Sequence, residues 1–134
     1  MKYLSHYLED GQSEALDWHD GFFAFSNKQL EEQLPDGADV KDYVSMGAGL
    51  VCHKDSAKEL AHDLANNFQR AVDADRKENG KKAIIQRELA NHECQITMDY
   101  DVVVEVLHPY GITREDVKAE WREFWNMCVE NNYF

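Results

Sequence analysis

Evenly spaced apolar residues between positions 57 and 72 constrain the fold more than any other feature of this sequence. Their spacing follows the period of an α-helix: Ala57, Leu60, Ala61, Leu64, Ala65, Phe68 and Val72. A helix with such an apolar face has to bury it against other elements, so this segment predicts a packed core. Asn79-Gly80 then predicts a break, and residues 83–89 predict a further helix that runs to about His92.

Both ends of the chain also predict helices. The first helix is expected over residues 2–19, and Gly11 within it leaves two shorter helices as an alternative. Its apolar face consists of Leu4, Leu8, Gly11, Ala15 and Trp18. Near the other end, Thr113 with Asp116 matches the signature of a helix start and predicts a last helix. That helix carries Val117, Trp121, Phe124, Trp125 and Cys128.

Three short segments predict strands. The aromatic run 21–25 predicts a buried strand, and the segments 43–46 and 50–52 predict a hairpin. We assign Gly47 and Gly49 to the turn of that hairpin, as structural residues. A phosphate-binding loop would need a longer glycine-rich turn that ends in Lys and Ser or Thr.

Residues 101–107 are ambiguous, because their valines favour a strand whereas the acidic Asp99 and Asp101 suit the start of a helix. We favour the helix. The sequence then predicts an α+β fold, in which a small antiparallel sheet of about three short strands is packed by about four to six helices. The C-terminal part is helical. A chain of 134 residues has the size of one domain, so we expect a single domain over residues 1–134.

Negative charge is the main surface property that the composition predicts. Lys plus Arg number 14 and Asp plus Glu 26, so the formal net charge is −12. Direct binding to nucleic acid or to an anionic membrane is therefore disfavoured, because both need a basic face.

Most of the negative charge belongs to the two ends of the chain. Residues 1–50 carry a net charge of −7 and residues 101–134 one of −4. If these ends lie together, they form one acidic face that steers and binds a basic partner, including a nucleic-acid-binding protein. The alternative is a solvated surface that keeps the protein soluble. The binding residues that we predict are Glu14, Asp17, Asp20, Glu120, Glu123 and Trp125.

The terminal pair Tyr133-Phe134 leaves a homo-oligomer open, because chain ends fray unless docked and this pair suits packing on a partner or on a second copy.

Cysteine usage and the N-terminus indicate a cytoplasmic protein. Cys52, Cys94 and Cys128 are an odd number of cysteines and form no CxxC pair, so we expect free and buried thiols. The N-terminus lacks the apolar region and the cleavage site of a secretory signal. No segment is apolar enough to span a membrane.

His92, Glu93 and Cys94 form the most reactive-looking cluster, and Cys52-His53 is the second. Zinc sites usually show two ligand pairs at short spacing, which neither cluster has, and the deaminase and metalloprotease motifs are also missing. We therefore predict no metal site and no cofactor, and interpret Asn91, His92 and Glu93 as a polar network at a helix end. The alternative is a small metal-dependent or hydrolytic enzyme that uses Asn91, His92 and Glu93. His92 and Glu93 are then the catalytic candidates, with Cys52 or His53 as a further participant.

Three segments together resemble a family of small proteins spread over bacteriophages, prophages and other mobile elements. These segments are Gly21-Phe22-Phe23-Ala24-Phe25-Ser26-Asn27-Lys28-Gln29, Tyr43-Val44-Ser45-Met46-Gly47-Ala48-Gly49 and Arg87-Glu88-Leu89-Ala90-Asn91-His92-Glu93. Tyr110-Gly111-Ile112-Thr113 is also similar, and the likeness covers about residues 15–120. The resemblance implies that the protein belongs to a phage or another mobile element and acts in a bacterial cytoplasm. It implies no mechanism.

Two classes of function follow. In the favoured hypothesis, the protein is a non-enzymatic phage accessory protein that binds a host protein. It acts as an acidic inhibitor or nucleic-acid mimic directed at a restriction or CRISPR-type defence enzyme. In the other hypothesis, it is the small enzyme described above. A cleft that joins Asn91, His92 and Glu93 favours the enzyme, whereas a hydrogen-bonded helix end favours the binder.

Overall fold

The computed structural model describes residues 1–134 and confirms the α+β class, with six α-helices and a three-stranded antiparallel sheet. The chain divides into two compact units. We call Met1–Leu4 with Ala71–Phe134 the helical unit, and Ser5–Arg70 the sheet unit. The single domain over residues 1–134 stays a prediction.

The sheet unit contains a long first helix, the strands and the start of the third helix. Its elements are α1 (Leu4–Trp18), β1 (Phe22–Phe23), α2 (Asn27–Gln33), β2 (Tyr43–Gly47), β3 (Leu50–His53) and the first part of α3 (Ala57–Asn91). A short 3₁₀ helix, Val40–Asp42, precedes β2. The core of this unit is formed by Ala15, Leu50, Cys52 and Leu60.

The sheet has the strand order β1-β3-β2, so β3 lies in the centre and β1 at an edge. The predicted hairpin is confirmed, and Gly47, Ala48 and Gly49 at its turn all have positive φ. The predicted strand in the segment 21–25 is present as β1, but the prediction that it is buried is wrong. Phe23 is exposed and Phe22 half-buried, because the central β3 takes the buried position instead.

α1 continues without a break through Gly11, so the alternative of two shorter helices is wrong. Gly11 is explained by a close approach: a Cβ atom there would lie 1.9 Å from Oδ1 of Asn67 on α3. The side-chain amide of Asn67 donates a hydrogen bond of 3.0 Å to the carbonyl of Leu8. The glycine therefore lets α3 attach to the backbone of α1 at this point.

The helical unit contains the rest of α3 and the C-terminal elements. They are α4 (Cys94–Thr97), α5 (Asp101–Leu107), a 3₁₀ helix (His108–Tyr110) and α6 (Arg114–Asn131). The predicted break falls at Gly80, whose φ of 79° and ψ of 161° are not helical. The helix over residues 101–107 is confirmed, and so is the helix start at Thr113, which forms a full capping box with Asp116. α4 was not predicted.

Candidate partner-binding site

The predicted binding residues of the first helix lie on its exposed surface. Glu14, Asp17 and Asp20 are all exposed, and all three belong to the sheet unit. None of their carboxylates has a Lys, Arg or His nitrogen within the 4.0 Å of an ion pair. Their charge is therefore uncompensated at short range.

The apolar pattern of the first helix predicts the wrong environment for Trp18. It was expected on the buried face of the first helix, yet it is 81% exposed. α1 ends at Trp18, and burial passes to the next residue, His19, which is 7% exposed. A tryptophan this exposed is unusual, because its apolar area is large and favours burial.

Trp18 and the acidic side chains line the same cleft, which we call the Trp18 cleft. It has a volume of about 580 Å³ and lies along α1 and α3. Its charged and aromatic lining residues are Glu14, Asp17, Trp18, Asp63 and Arg70. The lining contains three carboxylates and one guanidinium, so the cleft is acidic.

A short hydrogen bond fixes the wall of the Trp18 cleft. Nε2 of the buried His19 lies 2.6 Å from Oδ2 of Asp63. This contact joins the end of α1 to α3 next to Trp18, and a charge-assisted hydrogen bond of this kind is stronger than a neutral one. The contact therefore holds Asp63 in place in the wall of the cleft.

The predicted binding residues of the last helix belong to the helical unit, and they have partners within it. Glu123 forms an ion pair of 2.7 Å with Lys82, and Glu120 accepts a hydrogen bond of 3.3 Å from Gln86. Trp125 is half-buried and contacts the ring of Phe134 edge-on at 5.1 Å. The terminal residues therefore dock on their own chain. The binding role of Glu120, Glu123 and Trp125 stays a prediction.

The cluster Asn91-His92-Glu93 lies at a helix end, as predicted. α3 ends at Asn91, and Glu93 with φ of 50° precedes α4. Nε2 of His92 lies 3.5 Å from the carboxylate of Glu88, one helical turn earlier. The cleft beside His92 is lined by Cys94, Thr97, Asp99, Asp101, Val102 and Glu105, and neither Asn91 nor Glu93 borders it. The structure therefore does not join the three side chains in one cleft.

The three thiols are free and buried, as predicted. Burial raises the pKa of Cys52, Cys94 and Cys128, and so reduces the thiolate that a nucleophile needs. Nowhere does the chain gather three or more His, Cys, Asp or Glu side chains that could hold a metal ion. None of its helices combines the length and the apolar character that crossing a bilayer requires.

A buried ionic network in the helical unit was missed by the sequence analysis. Asp75, which is 0% exposed, forms two hydrogen bonds of 2.9 Å with Arg87 and accepts one of 2.6 Å from the hydroxyl of Tyr110. Burial alone would raise the pKa of Asp75, but the hydrogen bonds from Arg87, Tyr110 and Asn79 hold it below its ordinary value. Arg87 also donates to Glu88, the partner of His92. The network thus reaches His92 through Glu88.

Comparison with known proteins identifies one family. The model of a family of unknown function, DUF7659, matches residues 4–127 of the chain. The matched range includes Trp18, the whole sheet unit and most of the helical unit. No curated protein and no solved structure matches the chain.

Proposed function

Given that the chain belongs to the DUF7659 family, whose function is unknown, we propose that it is a non-enzymatic accessory protein that binds a host protein. Its setting is a bacteriophage or other mobile element, and it acts in the bacterial cytoplasm. The partner presents a basic surface, as nucleic-acid-binding enzymes of restriction or CRISPR-type defence do. The protein competes with nucleic acid for that surface.

The observation that supports this proposal is the 81% exposed Trp18 at the edge of an acidic cleft. Tryptophan is enriched among the few residues that dominate binding energy at protein interfaces. Its ring also attracts the cationic side chains of a basic partner, since Lys and Arg bind over aromatic faces. An exposed tryptophan among unpaired carboxylates thus offers both an anchor and a charge that selects the partner.

The net charge of the sheet unit favours a basic protein as the partner. This unit has five basic and thirteen acidic side chains, a net charge of 5 − 13 = −8. A surface of this sign raises the rate at which a basic protein associates, and it repels nucleic acid itself. The mimicry therefore acts on the protein that would otherwise hold nucleic acid.

The test is affinity capture from a bacterial host lysate at low and at high salt, with mass spectrometry of the retained proteins. We expect a stoichiometric nucleic-acid-binding protein that is lost at high salt, because exposed charges are screened. The double variant Glu14→Lys/Asp17→Lys should lose that partner.

The matched control is Glu31→Lys/Glu32→Lys, which makes the same change of charge on exposed residues of α2 outside the Trp18 cleft. It should retain the partner. Equal loss in both variants would mean that net charge alone attracts the partner, and equal retention would remove the acidic cleft from the binding site.

A further inference from the structure

We propose that a second cleft in the sheet unit is a binding pocket for an organic cation that carries an alkylammonium or guanidinium group. This aromatic cleft has a volume of about 760 Å³. It is bordered by the end of α1, by β1 and β2, and by the loop before α3. Its charged and aromatic lining residues are Asp17, His19, Asp20, Phe22, Tyr43 and His53. Asp17 borders both clefts, whereas Trp18 borders only the first, so the inference does not need Trp18 to bind a partner.

Three aromatic rings stand side by side along the cleft. The ring centroids of Phe22 and Tyr43 are 6.1 Å apart with the planes inclined by 51°. Tyr43 and His53 are 5.4 Å apart and nearly perpendicular, at 75°. All three side chains are half-buried, so they present ring surface to the cleft while the sheet fixes them. The faces of Phe and Tyr rings attract ammonium and guanidinium groups. His53 completes the row, and its Nδ1 accepts a hydrogen bond of 3.1 Å from the backbone N–H of Asp55.

The sign of the ligand follows from the charges at the cleft. Asp17 and Asp20 are exposed lining residues without a cationic partner. The negative end of α1 and the positive start of α3 each contribute about half a charge, so these two helix ends offset one another. The two full carboxylates decide the sign, and the cleft favours a cation.

His19 is a buried polar residue at the border of the cleft. Its side chain is 5% exposed, and Nε2 is held by Asp63 at 2.6 Å. Nδ1 makes no hydrogen bond to another protein atom. Every buried side-chain nitrogen or oxygen other than Oε1 of Gln95 has a hydrogen-bond partner. Because Nδ1 of His19 has none, this atom is not fully buried. When Asp63 accepts the proton on Nε2, the lone pair of Nδ1 is left to accept an N–H of the ligand.

The test is an NMR titration of the full chain, observed on the aromatic signals of Phe22, Tyr43 and His53. The probes are n-butylammonium and N-acetyl-arginine amide, with n-butanol as the neutral control of similar shape. We expect saturable shifts with both cations and none with n-butanol. Shifts that are equal for the cations and for n-butanol, or that do not saturate, overturn the proposal.

Variants show whether the observed binding takes place in this cleft. Asp17→Asn/Asp20→Asn should weaken n-butylammonium binding, and Tyr43→Leu should weaken it about two- to fivefold, the range of an exposed cation–π contact. Asparagine suits position 20, where φ is 52°, so the double variant should fold even if Tyr43→Leu does not. Asp36→Asn, an exposed acid outside the cleft, should bind like the wild type. Unchanged binding in Asp17→Asn/Asp20→Asn overturns the proposal.

A blocked glycine peptide with one central lysine identifies the source of the cation. Tighter binding than n-butylammonium indicates a side chain of a partner protein, and equal binding indicates a free small molecule. Both results support the pocket. Trp18→Ala should leave the titration unchanged, so loss of the host partner in that variant concerns the proposed function alone.

Discussion

In the helical unit, charged side chains pair with one another, whereas in the sheet unit many remain on the surface without a partner. The helical unit has nine basic and thirteen acidic residues, a net charge of 9 − 13 = −4, against −8 for the sheet unit. Besides the buried pair of Asp75 and Arg87, it forms three surface pairs of Lys or Arg with a carboxylate at 2.6–2.7 Å. The corresponding pair in the sheet unit is that of Lys54 and Asp42 at 3.2 Å.

The difference separates two uses of charge. A paired charge inside a unit specifies one packing arrangement, and removing one partner lowers the free energy of unfolding. An unpaired charge on the surface adds self-repulsion but remains available to a ligand. We therefore expect substitutions in the helical unit to change stability, and those in the sheet unit to change binding.

The largest effect is expected from Arg87→Met. This variant leaves the buried carboxylate of Asp75 without its cation, and breaking a buried pair in this way costs about 3–5 kcal/mol. Urea unfolding measures the change. The double variant Asp75→Asn/Arg87→Met should regain part of the loss, because no buried charge remains. Lys82→Met, which breaks an exposed pair on the same helix, should unfold close to wild type. A stable Arg87→Met variant would contradict the assignment of the network to stability.

A smaller, pH-dependent effect is expected at the start of α6. Hydrogen bonds from Lys81 and from the backbone of Thr113 lower the pKa of Asp116 to about 2 from an unfolded value of 3.8. A group whose pKa is lowered on folding stabilises the protein above its unfolded pKa, and this contribution disappears as the pH falls through the folded pKa. The stability difference between wild type and Asp116→Asn should therefore be present at pH 5 and shrink between about pH 4 and about pH 2.

The control for this prediction is Glu115→Gln, an exposed neighbour outside the capping box. It measures the effect of removing a neighbouring negative charge that does not belong to the capping box. Urea midpoints measured across the pH range give both curves, and a difference for Asp116→Asn that is independent of pH would contradict the role of its charge.

The smallest effect on stability is expected from Glu14→Gln/Asp17→Asn. Neither carboxylate has a cationic partner, so their removal relieves repulsion and breaks no ion pair. Thermal unfolding at low salt should show an unchanged or slightly higher midpoint. A clear decrease would mean that these side chains help to hold the sheet unit, and it would weaken the contrast between the units.

Local signals in the sequence predicted most of the elements but not the long-range polar contacts. The capping box at Thr113, the break at Gly80 and the turn at Gly49 each depend on residues a few positions apart, so the sequence carries them. Asp75 is separated from Arg87 by 12 positions and from Tyr110 by 35, and no spacing rule connects them. One signal was available: Asp75 follows Val72 by one helical turn and so lies on the apolar face of α3.

The candidate site was predicted in part. The exposed acids Glu14, Asp17 and Asp20 follow from charge and helical spacing. The exposure of Trp18 could not be predicted, because periodicity places it on the apolar face and only the end of the helix and the contact between His19 and Asp63 decide its position. The pairing of Glu123 with Lys82 likewise depends on how α3 and α6 pack.

The most direct test of the account is the affinity of the captured host protein for wild type and for Trp18→Ala, measured by calorimetry at low salt. The side chain is exposed, so the variant should keep the melting temperature of the wild type. If Trp18 is the anchor of the interface, its affinity should fall by about thirtyfold or more, as for a binding hot spot. Equal affinities would contradict the account, and the Trp18 cleft would not be the place where the partner binds.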